Sequence, residues 1–355
     1  MVTATQTAPP PGWLKDEGFD LSFTLGILLL SIAVVSVGAQ SDGLFYLVVV
    51  ADLWFLGYHH VISTFTKLAG TADDRRSHRA LIWYLLPGIL VATFVLGRVW
   101  GVVAIVTLYF FWQWFHYVRQ SWGIAQRYRR QAGGLAWDPP RLAEVTLWAV
   151  PAWGVLHRCN QQSTTFLGMP IWLPPVPLAA VQAAGVLACA LVGWWLVTRL
   201  RAARRGELAS GHTLFMATHF VAFAGGYLIF DDISLGWLMV NVWHNAQYVA
   251  FVWLFNRQRF SSGITEQGLV LSWLSQPGIA RATTYYGACI AVSTVVYFGL
   301  GQAYQMASGL GEAVMTSINF LLLFSMGLNF HHYVVDSIIW KRKRQPQTEP
   351  AAISV

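Results

Sequence analysis

The chain has 355 residues, of which 55% are hydrophobic and only 11% are charged, and its mean hydropathy is +0.49. This composition excludes a soluble globular protein of this size, and it is typical of a membrane protein. The net charge of +7 does not indicate nucleic-acid binding, because the basic residues are distributed along the chain in the manner of membrane topology. The three cysteines stand singly, which argues against a disulfide framework, a zinc knuckle or an iron–sulfur cluster.

The predicted elements begin after an N-terminal tail. Residues 1–18 start with a Thr-, Ala- and Pro-rich stretch, which predicts a disordered tail and not a cleavable signal peptide. Residues 19–341 form the predicted transmembrane domain, and residues 342–355 a cytoplasmic tail. Because unpaired backbone groups are costly in hydrocarbon, apolar runs of about 20 residues predict spanning α-helices, and hence an all-α polytopic bundle. Ten such runs occur, at 20–39, 43–67, 80–99, 100–122, 141–158, 176–199, 211–230, 232–255, 281–302 and 313–340.

The basic residues predict the orientation of this bundle. With the N-terminus inside, all of the 23 Lys and Arg residues except Arg98 and Arg158 lie on the cytoplasmic side. Both termini are therefore expected in the cytoplasm, in a multi-pass protein of the inner (plasma) membrane of a bacterium. The short run 141–158 contains Pro151 and also fits a re-entrant segment. The basic run from Lys341 to Arg344 predicts an anchor to anionic lipid.

Histidines are concentrated in the predicted helices at one depth. Counted from the nearest cytoplasmic basic residues, most lie about 5–20 Å below the boundary. A single membrane histidine is usually a hydrogen-bond partner between helices, but imidazoles from five helices at one depth indicate a shared metal site. His212, near the start of its helix, is the weakest member of the layer. The predicted metal ligands are His59, His60, His116, His219, His244, His331 and His332.

The residue types restrict the metal. Imidazole-rich sites suit iron, copper or zinc, and the scarcity of carboxylates and thiolates excludes calcium, magnesium and an iron–sulfur cluster. Each adjacent pair, His59–His60 and His331–His332, is separated by about 100° around its helix, so one member of each pair is expected to face a given metal. About four to six ligands remain, which fits one four-histidine iron or a dinuclear centre. No catalytic residue separate from these ligands is predicted.

A histidine that binds a metal through one ring nitrogen usually hydrogen-bonds through the other. Polar residues at helical spacing from the histidines are expected to be these hydrogen-bond partners. For Asp336, an interfacial salt bridge with Lys341 or Arg342 is the alternative. The predicted partners are Asp52, Gln113, Asn241, Gln247 and Asp336. The many aromatic residues fit either an interfacial belt or walls for a lipid-soluble substrate.

Four stretches around these histidines resemble a known family. They are GYHH at 57–60, FHY at 115–117, HNAQYVAFVW at 244–253 and HHYVVDSIIW at 331–340. In order and helix placement they resemble the histidine motifs of the Brp/Blh family, bacterial membrane dioxygenases that cleave β-carotene to retinal with non-haem iron.

The resemblance implies roles for particular histidines. His59 or His60 would be the first iron ligand, His116 the second and His244 the third. Where the family has another histidine one turn after the third ligand, this chain has Gln247 and Tyr248. A fourth ligand would come from His219, His331 or His332.

Several functions fit these features. The leading prediction is an O₂-dependent oxidoreductase, a non-haem iron oxygenase acting on a carotenoid, another isoprenoid or a fatty-acyl chain, with any electron donor left open. A di-iron hydroxylase or desaturase is the second enzymatic hypothesis, although the HxxxH and HxxHH repeats typical of these enzymes are absent. Two alternatives come from other classes: a b-type haem or quinol-linked electron carrier, and a metal-handling or proton-coupled transporter. Copper is an alternative to iron as the bound metal.

Overall fold

The structure, a computed structural model, describes residues 12–134, 139–299 and 313–340, with side chains in the last range from residue 320. The first part of the predicted N-terminal tail, the basic run from Lys341 to Arg344 and the predicted C-terminal tail lie outside the described residues. The prediction of an all-α fold is confirmed. The described strands are Thr165–Phe166 and Met169–Pro170, which form one short antiparallel hairpin.

Eleven helices are numbered here along the described chain, and several contain one π-helical turn. The π turns are Ser22–Gly26, Leu53–Gly57, Leu81–Leu85, Gly225–Ile229 and Val295–Gly299. The helices are α1 Glu17–Gly38, α2 Asp42–Ala69, α3 Ala72–Ser77, α4 Leu81–Gln131, α5 Pro140–Gln161, α6 Leu178–Arg204, α7 Ser210–Ile229, α8 Ile233–Arg259, α9 Leu269–Leu274, α10 Ile279–Thr294 and α11 Ala313–Ile339.

Five of these helices are long and apolar enough to cross a membrane: α1, α2, α4, α6 and α7. Many of their outward-facing side chains are large and apolar, as Leu29, Leu47 and Val186 show at 64%, 62% and 73% exposure. Apolar residues therefore cover much of the outside, while most histidines and several asparagines and glutamines lie inside, which is the arrangement that a lipid environment favours.

The predicted runs 80–99 and 100–122 correspond to two helices that are joined at a kink and numbered together here as α4. The kink is at Gly101, beside the junction of the two predicted runs, and its φ of 76° and ψ of 179° are not helical. A positive φ is readily adopted by glycine alone, so this residue allows the change of direction. The predicted run 141–158 lies within α5, which is one continuous helix through Pro151.

Helix α8 lies at the centre of the bundle. It packs against α1, α2 and the last turn of α7, and its polar residues Asn241, His244, Asn245 and Gln247 are all buried. Because helices surround it, α8 can hold polar side chains in the interior, where other helices reach them. The histidine site is built around it.

Candidate metal centre

Four histidines converge from four helices in the interior of the bundle. His60 comes from α2, His116 from α4, His244 from α8 and His332 from α11. Each is at most 4% exposed. In a bilayer such polar groups are costly unless they are satisfied by a partner, so their convergence requires an explanation beyond packing. We call these four residues the histidine cluster.

The distances within the histidine cluster are short. The ring centroid of His60 is 4.4 Å from that of His332, 4.8 Å from that of His244 and 6.0 Å from that of His116. The Nε2 atom of His332 lies 2.6 Å from Nε2 of His60 and 3.1 Å from Nε2 of His116. Two nitrogens bound at right angles to one metal at about 2.1 Å are about 3 Å apart. The three Nε2 atoms therefore have roughly the spacing of ligands to a common ion.

These three residues, His60, His116 and His332, could hold a metal ion. His244 completes the histidine cluster at 5.1 Å from His116, between ring centroids. Neither ring nitrogen of His244 has a hydrogen-bond partner among the described residues. An unsatisfied polar group in the interior costs about 1–3 kcal/mol, and a bound metal would remove that cost at one of the two nitrogens. The donor set thus fits a metal that prefers imidazole.

Tyrosine rings surround the histidine cluster. Tyr248 stacks on His60 at 4.2 Å between centroids with the planes 8° apart. Tyr333 stacks on His116 at 4.4 Å, and Tyr117 packs on His244 at 4.0 Å. The rings restrict the orientation of the imidazoles and keep their surroundings dry. Sequence reasoning did not select these tyrosines, although each lies beside a cluster histidine in sequence or one turn from it.

A hydrogen-bonded chain holds the second nitrogen of His332. Its Nδ1 lies 2.8 Å from the Thr64 hydroxyl, which is 2.8 Å from the Tyr248 hydroxyl. Tyr248 donates to Asp336 Oδ1 at 2.6 Å, and Trp340 Nε1 donates to the same oxygen at 3.2 Å. Asp336 Oδ1 is 3.8 Å from His332 Nδ1. The carboxylate therefore reaches His332 mainly through Thr64 and Tyr248.

A second network supports the ring that packs on His244. Asn241 Nδ2 donates to Asp52, and the hydroxyl of Tyr117 donates to Asn241 Oδ1. Gln113 Nε2 donates to the same Asn241 oxygen at 3.1 Å, and its Oε1 accepts from Trp237 at 2.7 Å. Asp52, Gln113 and Asn241 thus lie behind Tyr117. They hold that tyrosine and make no hydrogen bond to a cluster histidine within the described chain.

The remaining predicted site residues lie elsewhere. His59 packs on Tyr286, with 4.4 Å between ring centroids. His219 Nε2 is 3.0 Å from the carbonyl oxygen of Leu147, and His331 Nε2 is 2.9 Å from that of Leu81. These are the helix-to-helix contacts that a single membrane histidine usually makes. Gln247 also points away from the cluster, since its Nε2 is 3.4 Å from the Phe23 carbonyl. His212, outside the cluster as well, is fully buried.

Two cavities adjoin the histidine cluster. A small one of about 30 Å³ is lined by His60, His244, Asn245 and Tyr117 among others, and it has room for about one small molecule of the size of water. A larger pocket of about 330 Å³ reaches His116, Tyr248 and Asp336. The cluster therefore adjoins both a cavity of about the size of one water molecule and a pocket large enough for part of an organic ligand.

No protein-family model, curated protein or solved structure matches this chain.

Proposed function

We propose that this chain is a membrane oxygenase in which His60, His116, His244 and His332 hold one non-haem iron. The observation that carries the proposal is the convergence of four buried imidazoles, three of which have nitrogens at ligand spacing. Iron bound by imidazoles supplies the ability to activate O₂ for attack on a double bond or C–H bond. The protein's own contribution is to orient the histidines, to exclude water and to position the substrate beside them.

The resemblance to the Brp/Blh family is consistent with this ligand set. The family's first three ligands would correspond to His60, His116 and His244. His332 is the candidate for the fourth, because among His219, His331 and His332 it alone lies in the histidine cluster. A carotenoid or another isoprenoid is one substrate class for the proposed oxygenase, and a fatty-acyl chain is the other.

The geometry supports one metal better than two, and non-haem iron better than haem. A dinuclear centre needs a second ligand group, but His59, His219 and His331 are dispersed. A haem would lie between its axial histidines, and nitrogens 2.6 and 3.1 Å apart leave no room for the ring.

We also propose that the chain crosses the inner membrane of a bacterium ten times, with both termini in the cytoplasm. The asymmetry of the basic residues supports this orientation.

Elemental analysis of the purified protein, combined with its optical spectrum, tests the metal proposal. We expect about one iron per chain and no Soret band. His116→Ala and His244→Ala should lose the iron, whereas the matched variants His219→Ala and His331→Ala should retain it, since those buried histidines lie outside the cluster. Folded protein that contains only zinc, or no transition metal after expression with ample iron, would refute the proposal.

A further inference from the structure

Aromatic residues line one part of the larger pocket and arginines line another. Trp122, Phe251 and Trp340 give it an aromatic side. Its volume of about 330 Å³ is at the lower end of the range for small-molecule sites. One water molecule takes up about 30 Å³ in the liquid, so the pocket has the volume of about eleven waters. This is enough for a head group and the first part of an alkyl chain.

Arginines line the pocket along one face of α4. Arg119, Arg127 and Arg130 all border it. At about 100° per residue, Arg130 lies about 20° and Arg127 about 80° around the helix from Arg119. Arg119 and Arg130 are exposed. Arg127 is half-buried and donates from Nη2 to Gln258 Oε1 at 3.2 Å, which fixes its guanidinium at the pocket.

The charge of the lining favours the binding of an anion in the part of the pocket that the arginines border. Two carboxylates also border the pocket, Asp336 and Glu144. Asp336 lies beside the histidine cluster and already accepts from Tyr248 and Trp340, while Glu144 is exposed. Three guanidinium groups therefore outnumber the carboxylates, and guanidinium matches the planar fork of a carboxylate or phosphate.

Of the three arginines, Arg119 lies closest along the helix to the histidine cluster. Arg119 follows His116 by three residues, so it lies on a neighbouring part of the same helix face, about 4.5 Å further along the axis. His116 is itself a lining residue. A head group held at Arg119 would therefore leave its first few carbons beside the histidine cluster.

We propose that this pocket binds a single-chain amphiphile with an anionic carboxylate or phosphate head group. Arg119 and Arg127 hold the head group, and the chain lies against Trp122, Phe251 and Trp340. That this amphiphile is the substrate rests on the proposed oxygenase function. Its binding does not, because none of the contacts involves the metal.

Photolabelling tests the site directly. The full chain in nanodiscs of neutral phosphatidylcholine is labelled with a diazirine derivative of decanoic acid, before and after treatment with a chelator, and the labelled peptides are mapped by mass spectrometry. We expect labelling at 119–130 and 336–340 in both preparations. Decanoate and decyl phosphate should compete, and the better competitor identifies the preferred head group. Decanol should compete poorly.

A variant and its control separate the pocket from general electrostatics. Arg119→Gln should weaken competition by decanoate about fivefold, as the loss of one charge-assisted contact implies, and should leave competition by decanol unchanged. Arg204→Gln, an exposed arginine at the end of α6 and outside the pocket, should have no effect. Labelling of this pattern in folded protein that contains no iron as purified would contradict only the oxygenase proposal.

Three results would overturn the binding proposal. One is labelling spread along the lipid-facing helices, and another is equal competition by decanol and decanoate. The third is competition by phosphatidylglycerol in the nanodisc without competition by decanoate, because this would identify the occupant as a bilayer lipid.

Discussion

Individual side chains differ in how they are held within the histidine cluster. His332 has its Nδ1 fixed by the Thr64 hydroxyl at 2.8 Å, which leaves Nε2 directed at His60 and His116. Fixing one nitrogen selects the other as the ligand and sets the ring orientation. Thr64 is therefore the residue that most directly orients a proposed ligand without itself belonging to the cluster.

Thr64→Val tests this role with little change of shape. We expect metal affinity to fall by about 10–100-fold, because outer partners of ligating histidines have effects of this size. Competition with a graded series of chelators measures the affinity. Thr218→Val is the matched control, since the buried Thr218 hydroxyl donates only to the carbonyl of Phe215 in its own helix, at 2.9 Å. Equal affinities in the two variants would contradict the assigned role.

The sequence predicted that one histidine of each adjacent pair faces the metal, but it could not select which one. The choice depends on neighbours that are distant in sequence: His60 meets His332, whereas His59 meets Tyr286. Thr64 was not predicted either. A hydroxyl in a membrane helix usually bonds a carbonyl of its own helix, as Ser63 does with the His60 carbonyl at 2.8 Å.

At the scale of elements, the position of α8 depends on its close crossing with α7. A Cβ built on Gly236 would lie 1.9 Å from the carbonyl oxygen of Gly226, and one on Gly226 would lie 2.6 Å from that of Gly236. Small residues that permit such approaches are typical of membrane helix contacts. Arg158 of α5 stabilises this crossing. Its Nη2 donates to the Gly226 carbonyl and its Nη1 to the Asp231 carbonyl, both at 2.9 Å.

Gly236→Ala should therefore force α7 and α8 apart. We expect destabilisation of about 1–3 kcal/mol, the usual cost of overpacking, and weaker metal binding because α8 carries His244. Thermal unfolding in detergent, followed by metal analysis, measures both effects. Gly193→Ala on α6 is the control, since a Cβ there meets nothing within 4 Å. An unchanged unfolding temperature for Gly236→Ala would show that the crossing is not tight.

The charge pattern of the sequence did not explain the position of Arg158. It was one of two exceptions to the predicted asymmetry of basic residues, and the sequence offered no reason for it. The structure provides one, because its fully buried guanidinium satisfies carbonyl groups at the end of α7. Pro151 is comparable, since the sequence left a re-entrant segment open but α5 is continuous there. Both outcomes depend on tertiary contacts that periodicity does not encode.

For the whole molecule, apolar run length predicted the helical class well because lipid imposes one simple requirement, internal hydrogen bonding of the backbone. The class is confirmed, and five helices satisfy the length and hydropathy expected for membrane crossing. Helix α8 is not among those five. It carries many polar side chains in the interior, and the same residues that lower its hydropathy, such as Asn241 and His244, are those that build the site.

The orientation of the bundle yields a prediction for the whole molecule. In a variant whose three cysteines are replaced by alanine, single cysteines are introduced by Gln40→Cys, between α1 and α2, or by Ser262→Cys, between α8 and α9. Both positions are exposed. If the N-terminus is cytoplasmic, a membrane-impermeant maleimide should label Gln40→Cys in intact spheroplasts. It should label Ser262→Cys only after permeabilisation, because the arginines at the end of α8 hold that loop inside.

Labelling of both variants after denaturation controls for the reactivity of each cysteine. The reverse pattern would invert the bundle and place the arginine-lined pocket on the outer face, where the head group of an anionic amphiphile would have to arrive from the other side of the membrane. Labelling of both loops in intact spheroplasts would place them on the same side of the membrane. This would contradict the proposed topology, which requires an odd number of crossings between them. The expected pattern instead places Arg119, Arg127 and Arg130 at the cytoplasmic surface, within reach of amphiphiles from that leaflet.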